Sequence, residues 1–396
     1  MNDLKRFFKN KKILITGHTG FKGSWLTKTL LDWDANITGI ALKPSTTPSL
    51  FNLLDIKKQI NNYFTDIRDF KKIKKIFLKE KPEIVFHLAA QPLVRDSYDD
   101  PLYTFETNVI GTANVLQAIK EIKKIRAAVM ITTDKVYKDK EYRHIYREDD
   151  ELGGHDPYSG SKAAAEMVID SYTKSFFSPE DYNKKHKTLI ASVRSGNVIG
   201  GGDWQKDRLI PDIIRAIFHH GKKVIIRNPN AIRPWEYVLE PLVGYLMLAQ
   251  KLYEGKKKFS GAWNFGPGKN SQITVRKLAE KAFKVFKNGS YVVKNDFSKR
   301  EAQFLKLDIS KAKNILKWSP DFDIDKTLEF TFDWYRRFYN KENIIYIYMG
   351  KKAQEWADLT GDNNHKLFVS HPASAAYTKQ KHWDSNDVFL KTQLLV

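Results

Sequence analysis

A tyrosine and a lysine stand four residues apart in the segment Tyr158-Ser-Gly-Ser-Lys162. On a helix this spacing brings both side chains to one face. Tyrosine, whose ordinary pKa is about 10, is a weak base at neutral pH, but a nearby ammonium group favours the phenolate and lowers that pKa. The pair therefore predicts a tyrosine that can accept a proton near neutral pH, although two unrelated surface residues can share this spacing.

Three glycines in Gly17-His-Thr-Gly20-Phe-Lys-Gly23 have the spacing of a phosphate-binding turn. They follow an apolar segment and open an amphipathic one, so we expect the turn between a strand and a helix. Glycine lets the backbone approach a pyrophosphate closely, and the helix N-terminus supplies N–H donors. The turn predicts a bound dinucleotide; the alternative is a tight turn without a ligand.

The identity of the dinucleotide depends on the end of the second predicted strand, where an acid would bind the ribose of NAD. That strand ends Gly39-Ile-Ala-Leu-Lys43 and carries no acid there. We expect NAD and leave NADP open, because Lys43 could pair with a ribose phosphate or simply be solvated. Asp66 is a candidate for the adenine edge, unless it only forms a turn or caps a helix.

Apolar and amphipathic segments alternate through the first half of the chain. Strands are predicted at 13–16, 36–41, 83–87, 127–132 and 188–194, and helices at 21–33, 69–79, 101–123 and 158–174. This alternation is typical of an α/β protein with a Rossmann doubly wound parallel sheet, whose strands end at one ligand-binding edge. We expect a dinucleotide-binding domain at 1–194, a smaller substrate lobe at 195–342 and a short foreign tail at 343–396.

The glycine turn and the Tyr-x-x-x-Lys pair together resemble the extended short-chain dehydrogenase/reductase family, most members of which act on nucleotide-sugars. In that family the tyrosine takes the proton of the sugar 4-hydroxyl as hydride leaves C4. The segment His87-Leu-Ala-Ala90 resembles the family's fourth strand, which lines the cofactor, and Thr107-Asn108 resembles the helix position that steadies the central strand. The cofactor-binding residues that we expect are Gly17, Thr19, Gly20, Phe21, Lys22, Gly23, Asp66, Ile67, Leu88, Ala89, Ala90, Asn108, Thr132, Tyr158 and Lys162.

The segment Thr132-Thr-Asp-Lys135 narrows the resemblance to nucleotide-sugar 4,6-dehydratases. Those enzymes remove the C5 proton and protonate the departing 6-hydroxyl, and an adjacent acidic pair does so in the thymidine-linked branch. Here the pair is Asp134-Lys135, which resembles the CDP-glucose branch. The resemblance implies Thr133, Asp134, Lys135, Tyr158 and Lys162 as catalytic residues, with Lys135 as the C5 base if burial and the cofactor's charge lower its pKa.

Similar stretches extend over residues 5–340, among them Ser192-Val-Arg-Ser-Gly-Asn-Val-Ile-Gly-Gly-Gly-Asp-Trp204 and Ile232-Arg-Pro-Trp235. The resemblance implies CDP-glucose as the substrate. Arginines suit its pyrophosphate, because a guanidinium group can pair with two phosphate oxygens. The substrate-binding residues that we expect are Gln91, Arg95, Arg194, Asn197, Arg208, Arg227 and Arg233, although each arginine could instead form a surface salt bridge.

The chain has 396 residues, no cysteine and a formal net charge of +21. The lack of cysteine excludes disulfides, thiol nucleophiles and thiolate metal sites, and we expect no metal. Basic residues occur in short, scattered groups, so solvated helix faces explain the charge better than nucleic-acid binding does. We also expect a cytoplasmic protein, because the sequence has no membrane-spanning run and no signal peptide.

The tail differs from the rest of the chain in amino-acid composition, because it is rich in His, Asn, Asp and Trp. Gly350-Lys-Lys-Ala-Gln354, Phe368-Val-Ser-His-Pro372 and Phe389-Leu-Lys391 resemble the C-terminal part of uracil-DNA glycosylase over residues 344–396. In that family the histidine matching His371 assists the departure of uracil. The family's water-activating Gly-Gln-Asp-Pro-Tyr segment does not occur in this sequence, so we interpret the tail as a fused fragment without glycosylase activity.

Two other functions stay open. A nucleotide-sugar 4-epimerase or another oxidoreductase of this fold would not need Asp134 or Lys135. A non-enzymatic protein associated with nucleic acid would explain the charge and the tail, but not the intact pair of Tyr158 and Lys162. The family resemblance also implies a homodimer, formed through the helices at 101–123 and 158–174.

Overall fold

The computed structural model describes residues 2–140, 144–218, 223–268, 271–294, 304–340, 346–349 and 366–369. The strands are β1 Lys12–Thr16, β2 Asn36–Ala41, β3 Asn61–Phe64, β4 Ile84–His87, β5 Ala127–Ile131, β6 Leu189–Ser195, β7 Asn197–Ile199, β8 Val224–Ile226, β9 Ile232–Tyr237, β10 Gly261–Phe265, β11 Gln272–Thr274, β12 Tyr291–Val293, β13 Tyr346–Met349 and β14 Lys366–Val369.

The helices are α1 Asn2–Phe8, α2 Phe21–Leu31, α3 Leu50–Leu53, α4 Ile56–Gln59, α5 Phe70–Glu80, α6 Val94–Asp99, α7 Pro101–Phe105, α8 Gly111–Glu121, α9 Pro157–Phe176, α10 Leu209–Phe218, α11 Leu239–Tyr253, α12 Val275–Phe286 and α13 Ile324–Tyr339. A π-helical turn at Glu106–Ile110 joins α7 to α8, so the predicted helix at 101–123 contains a local widening. Such turns are often found near functional sites.

Seven parallel strands form the central sheet in the order β10-β6-β5-β4-β1-β2-β3. Every residue of β5 and of β6 is buried, as expected for strands covered by helices on both faces. The order reverses direction between β1 and β4, which is the place where ligands bind in doubly wound sheets. The predicted Rossmann fold is therefore confirmed.

The helix that carries Tyr158 begins where the sequence supplies both a cap and a proline. The Asp156 side chain accepts a hydrogen bond from the Ser159 N–H at 2.9 Å, and Pro157 occupies the first turn. Proline is favoured there because its missing N–H would have no helical partner. These residues fix the start of α9, so Tyr158 lies in its first turn.

The expected domain boundary at residue 194 requires a correction. The chain leaves the central sheet after β6 and builds the second lobe, which contains the three-stranded sheet β11-β9-β7. It then returns to the central sheet, where β10 pairs with β6 in parallel. The predicted boundary was wrong because β10, at 261–265, belongs to the central sheet although it follows most of the second lobe in the chain. The sequence around β10 lacks the regular alternation of strands and helices that identified β1, β2, β4, β5 and β6.

In the tail, the structure describes only β13 and β14, which pair with each other in parallel. The predicted likeness of residues 344–396 to uracil-DNA glycosylase, His371 included, otherwise lies outside the described residues and stays a prediction. Among the helices that are described, none is both long and apolar enough to cross a membrane.

Candidate active site

A cavity of about 690 Å³ opens at the carboxyl edge of the sheet, between the sheet and the second lobe. The loops after β1, β4, β5 and β6 all contribute to it, because parallel strands end at the same edge. Of the expected site residues, those that line the cavity are Gly17, Thr19, Gly20, Phe21, Lys22, Gly23, Asp66, Ile67, Leu88, Ala89, Ala90, Gln91, Arg95, Thr132, Thr133, Asp134, Lys135, Tyr158, Lys162, Asn197, Arg208, Arg227 and Arg233.

The glycine turn fits a dinucleotide phosphate. Gly17 has a φ of +77°, and a Cβ atom there would lie 2.6 Å from the Ala89 nitrogen. A Cβ on Gly23 would lie 2.1 Å from the Gly17 carbonyl oxygen, so neither position accepts a side chain. Gly20 caps α2 without a side-chain hydrogen bond, which leaves the first N–H groups of the helix for an anion.

Asp66 forms hydrogen bonds within the protein that the sequence alone does not predict. Its carboxylate accepts hydrogen bonds from the Arg68 backbone N–H at 2.8 Å and from the Arg68 guanidinium at 2.9 and 3.0 Å. Burial raises the pKa of Asp66, but the bonds from Arg68 outweigh it and hold that pKa below its usual value. A carboxylate has more acceptor sites than these bonds use, so Asp66 retains the capacity to bind adenine.

Two residues that we expected to bind the cofactor form hydrogen bonds within the protein instead. Asn108, in the π-helical turn, does not line the cavity: its amide accepts from the Gln91 N–H at 2.8 Å and donates to Ser161 Oγ at 2.9 Å. This corrects the expectation of direct cofactor contact, because Asn108 positions the loop after β4 against α9. The Thr132 hydroxyl, although beside the cavity, donates to Glu166 at 2.5 Å and so faces the sheet.

Tyr158 and Lys162 lie one helical turn apart and are both buried. The Lys162 ammonium donates to the Ile131 carbonyl oxygen at 3.1 Å, which ties α9 to the end of β5. Burial raises the pKa of Tyr158 to about 12, while the Thr133 hydroxyl and the Arg208 guanidinium pull it downward. The predicted lowering of this pKa by Lys162 was wrong for this structure, because burial is the larger effect and lowers the pKa of Lys162 itself to about 8.

Asp134 lies beside this pair on a short turn that follows β5. Its side chain is buried; Oδ1 accepts a hydrogen bond from the Thr133 hydroxyl at 3.1 Å, whereas Oδ2 has no partner among the described residues. Burial raises the pKa of Asp134, against the opposing charges of Lys135 and Arg233. Asp134 is therefore suited to donate a proton, with the half-buried Lys135 next to it.

Four of the five expected arginines converge on the lobe side of the cavity. Arg208 donates to Asp203 at 2.9 Å, and Arg227 donates to Asp207 at 2.8 Å. Arg95 and Arg233, which is 4% exposed, also line this wall. The guanidinium groups can hold a pyrophosphate, and their acidic partners orient them for it.

Arg194 requires a correction. Its side chain is 4% exposed and forms a bidentate pair with Glu166, with N–O distances of 2.8 and 3.1 Å. It also donates to the Tyr137 hydroxyl, and it does not line the cavity. Arg194 lies within β6, where alternate side chains point to opposite faces of the sheet, so it stabilises the core rather than the substrate.

Sequence reasoning missed three acids. Asp203 and Asp207 both precede Arg208 in the loop before α10, and their proximity to a predicted phosphate-binding arginine was the available signal. Glu236 gave no signal, since it is a single carboxyl group in a short strand. It is 0% exposed and interacts electrostatically with Lys22 and Asp134.

The chain is similar to known proteins over most of its length. The family model described as GDP-mannose 4,6-dehydratase matches residues 14–331. A CDP-glucose 4,6-dehydratase from Salmonella typhimurium is 46% identical over 342 residues, which cover 86% of this chain and 95% of that protein. A UDP-glucose 4-epimerase from Mycoplasma pneumoniae is 26% identical over 345 residues, covering 83% of this chain and 98% of that protein.

The fold recurs in a solved structure of UDP-glucose 4-epimerase from Thermus thermophilus in complex with NAD. The TM-score is 0.70 at 21% identity, and the match covers 82% of this chain and 98% of that one. With the family model matching most of the chain and a relative sharing nearly half of its residues, this chain belongs to the GDP-mannose 4,6-dehydratase family.

Proposed function

We propose that this chain is an NAD-dependent CDP-glucose 4,6-dehydratase, a lyase that converts CDP-glucose to CDP-4-keto-6-deoxyglucose and water. The observation that carries this proposal is the placement of Asp134 and Lys135 on the same cavity as Tyr158 and Lys162. The 46% identity to the Salmonella CDP-glucose enzyme supports the same substrate. A 4-epimerase would need no acid and base for elimination.

Bound NAD would supply the acceptor for the hydride of the sugar C4 and the source from which that hydride returns to C6 of the C5–C6 double bond. The residues that would hold its phosphates are the glycines of the turn at 17–23 together with the first N–H groups of α2. Asp66 and Ile67 line the part of the cavity beyond β3, and Leu88, Ala89 and Ala90 form the wall after β4.

Tyr158 removes the proton of the sugar 4-hydroxyl. Burial opposes its ionisation, but the Thr133 hydroxyl and the charge of Arg208 both favour the phenolate. Loss of this proton allows the C4–O bond to become a carbonyl. The new 4-ketone acidifies the hydrogen on C5, which prepares the elimination.

Lys135 and Asp134 then divide the elimination between them. The Lys135 amine takes the C5 proton, and the electron pair of that bond forms the C5–C6 double bond. Asp134, whose pKa burial raises, gives its proton to the 6-hydroxyl as the C6–O bond breaks and water leaves. Lys135 returns its proton to C5 at the end of the cycle.

The pyrophosphate of the substrate binds the arginines on the lobe side. Arg208 and Arg227 are already oriented by Asp203 and Asp207, while Arg233 is buried deeper, near Asp134. The Gln91 amide is bonded within its own loop, to the Leu93 carbonyl at 3.0 Å and to Thr104 at 2.9 Å, so it shapes the wall beside the sugar.

The proposal includes a cytoplasmic homodimer. Large apolar side chains are exposed on the two adjacent helical segments at 101–121 and 157–176: Leu102 by 76%, Ile110 by 53% and Met167 by 58%. Two copies that pair these segments would bury this apolar surface, which a monomer leaves in water.

Incubation of the protein with CDP-glucose and NAD tests this function. We expect a 4-keto-6-deoxy product, detected by mass spectrometry as the loss of one water, with no net accumulation of NADH. Parallel reactions with dTDP-, GDP- and UDP-glucose measure the base preference, and a Tyr158→Phe variant is the control. Formation of CDP-galactose without loss of water would instead identify a 4-epimerase.

A further inference from the structure

Two buried side chains of opposite charge meet next to the active site, outside its cavity. Glu166, on α9, and Arg194, on β6, form the bidentate pair described above, and neither lines the cavity. Burial raises the pKa of Glu166, but the charge and the bonds of Arg194 hold that pKa below its usual value. An ion pair removed from water is often no more stabilising than apolar packing, so we look for its use in the bonds that it directs.

The ion pair directs bonds to two residues of the chain that follows β5. Glu166 Oε1 accepts a hydrogen bond from the Thr132 hydroxyl at 2.5 Å. Arg194 Nη1 donates to the Tyr137 hydroxyl at 2.9 Å, and that hydroxyl donates to Asn264 Oδ1, on β10, at 2.7 Å. Since Thr132 and Tyr137 are the two ends of one short turn, the ion pair closes a network of hydrogen bonds around that turn.

The enclosed turn carries Thr133 and the two residues of the proposed elimination, Asp134 and Lys135, which we call the elimination pair. Its backbone N–H groups make only long bonds inside the turn: those of Lys135 and Val136 donate to Thr133 oxygens, both at 3.4 Å. Backbone bonds at 2.8 Å attach its ends to β6 and to the loop before α9. Because bonds of 3.4 Å are weak, the conformation of the turn depends on how its ends are held.

Glu166 connects this turn to the residues of the proposed oxidation. On α9 it lies one helical turn after Lys162 and two turns after Tyr158. The Lys162 ammonium donates to the carbonyl oxygen of Ile131, the residue directly before Thr132. The helix is thus bonded to two consecutive residues at the start of the turn, and these bonds set the position of the elimination pair relative to Tyr158.

We propose that the ion pair of Glu166 and Arg194 positions the elimination pair. Through its bonds to both ends of the turn, it holds the elimination pair in register with Tyr158, so that one bound sugar reacts first at C4 and then at C5 and C6. This inference rests on the proposed function and deepens it. Glu166 and Arg194 are positioning residues, because they act on the substrate only through the turn.

The proposed reaction makes such positioning necessary. Carbons C4, C5 and C6 are consecutive in the sugar, and the groups that act on them come from two different elements, α9 and the turn after β5. A displacement of about 1 Å between reacting groups can reduce a rate by about 100-fold. A shift of the turn against α9 would therefore slow the elimination while the oxidation continues.

Tyr137→Phe tests the inference, because it removes one hydroxyl group from the network and keeps the aromatic ring. In a single turnover with CDP-glucose and NAD, we expect NADH to form almost as fast as in the wild type, since Tyr158 and Lys162 are unchanged. The elimination should slow by about 10-fold or more, so that NADH persists instead of being consumed. The readout is the ratio of the two rates, which a general loss of active protein does not change.

Thr132→Val opens the network at the other end of the turn, because valine has nearly the shape of threonine but no hydroxyl group to donate to Glu166. It should shift the ratio of the two rates in the same direction as Tyr137→Phe. Thr132→Ser keeps the hydroxyl group and should restore the wild-type ratio.

Tyr253→Phe is the matched control. The Tyr253 hydroxyl donates to Glu83 at 2.7 Å, and the Arg126 guanidinium lies 4.5 Å from its ring centroid, whereas that of Arg194 lies 4.9 Å from the ring of Tyr137. Glu83 and Arg126 directly precede β4 and β5, so this arrangement lies at the edge of the sheet opposite the cavity. Tyr253→Phe removes an equivalent bond and should leave the ratio unchanged.

Hydrogen exchange followed by mass spectrometry gives a second readout that needs no substrate. The backbone amides of residues 133–136 should exchange faster in Tyr137→Phe than in the wild type, while those of β5 and of the first turns of α9 keep their wild-type rates. This pattern would show that the network holds the turn and not the surrounding fold.

An unchanged ratio of the two rates in Tyr137→Phe and Thr132→Val would overturn the inference, and so would wild-type exchange at residues 133–136 in Tyr137→Phe. Failure of the wild-type protein to convert CDP-glucose would count against the proposed function instead. The exchange measurement would then still decide whether the network of the ion pair holds the turn.

Discussion

At the scale of single residues, the site separates groups that move protons from groups that set their charge. Asp134, Lys135, Tyr158 and Lys162 all line the cavity, and the Lys162 ammonium also donates to a backbone carbonyl group. Burial acts on them in opposite senses, because it raises the pKa of an acid and lowers that of a lysine. One dry environment thus favours a protonated Asp134 and an easily deprotonated Lys162.

Lys135→Ala should stop the elimination but leave the first oxidation intact. The variant keeps Tyr158 and the cofactor turn, so CDP-glucose and NAD should still bind and a single-turnover experiment should still show NADH absorbance. We expect dehydration to fall by about 100-fold or more, a loss of about 3 kcal/mol in transition-state stabilisation. Dehydration at the wild-type rate would contradict the role given to Lys135.

Lys162→Met should raise stability at neutral pH while it abolishes turnover. The pKa of Lys162 is lowered from its ordinary 10.5 to about 8 by burial. A cation whose folded-state pKa is depressed destabilises the fold, by about 3 kcal/mol below pH 8, and this penalty disappears as pH rises to the unfolded value. Loss of the bond to Ile131 offsets about 1 kcal/mol of the gain.

Thermal unfolding at pH 7 and near pH 10 checks this expectation. The variant should have the higher Tm at pH 7, and the difference should shrink toward the alkaline end. A Tm difference that does not change with pH would show that Lys162 is not buried in the way described.

At the scale of elements, the backbone conformation of two turns positions the loops that surround the cofactor cavity. The β1–α2 turn brings Gly17 against the strand end at Ala89, and the π-helical turn at 106–110 lets Asn108 hold Gln91. Both contacts fix the loops that wall the cofactor cavity. A change in either turn should therefore affect binding before it affects the chemistry.

Gly17→Ala should abolish NAD binding. The added methyl group would lie 2.6 Å from the Ala89 nitrogen, in a backbone conformation with positive φ that side chains rarely adopt. We expect a cost of about 1–3 kcal/mol in unfolding free energy from the backbone strain alone. Isothermal titration with NAD and a denaturation curve measure the two effects.

Gly160→Ala is the matched control, because its new Cβ atom would have ordinary contacts at 3.7 and 3.8 Å near the start of α9. It should retain NAD binding and gain up to about 1 kcal/mol in stability. If both variants lose NAD equally, the geometry of the turn is not the cause.

The amino-acid sequence predicted the elements and the cavity better than the direction of individual side chains. Gly17 and Tyr158 belong to motifs whose spacing along the chain is enough to predict where their residues lie in the fold. Arg194 does not: the sequence shows its charge but not that Glu166 meets it inside the core. Glu236 could not be found at all, since burial without partners is a property of the packed lobe rather than of a local pattern.

At the scale of the whole molecule, the exposed apolar side chains on α7–α8 and α9 predict the assembly. Leu102→Glu combined with Met167→Glu should convert a dimer to a monomer in light scattering coupled to size-exclusion chromatography. Charge at the centre of a buried contact opposes association. Val285→Glu, at a residue that is 56% exposed on α12 in the other lobe, should leave the dimer intact. A monomeric wild type would contradict the proposed interface.

Removal of residues 341–396 should leave dehydration unchanged. The last helix must remain, since Tyr339 stacks on Phe218 with ring centroids 4.2 Å apart. The full chain should also release no uracil from single-stranded DNA in a fluorescent assay. Loss of dehydratase activity on truncation, or clear uracil release by the full chain, would give the tail a role that we do not expect.

The pairing of β10 with β6 has a consequence for the order in which the protein can fold during synthesis. Strands β1 to β6 leave the ribosome first, but β6 has no outer neighbour until residues 196–260 have also been made. Throughout that interval one edge of the nascent sheet presents unpaired backbone groups, which are a ready template for aggregation. Nascent chains stalled before residue 261 should therefore depend on chaperones, while chains stalled well beyond residue 265 should not.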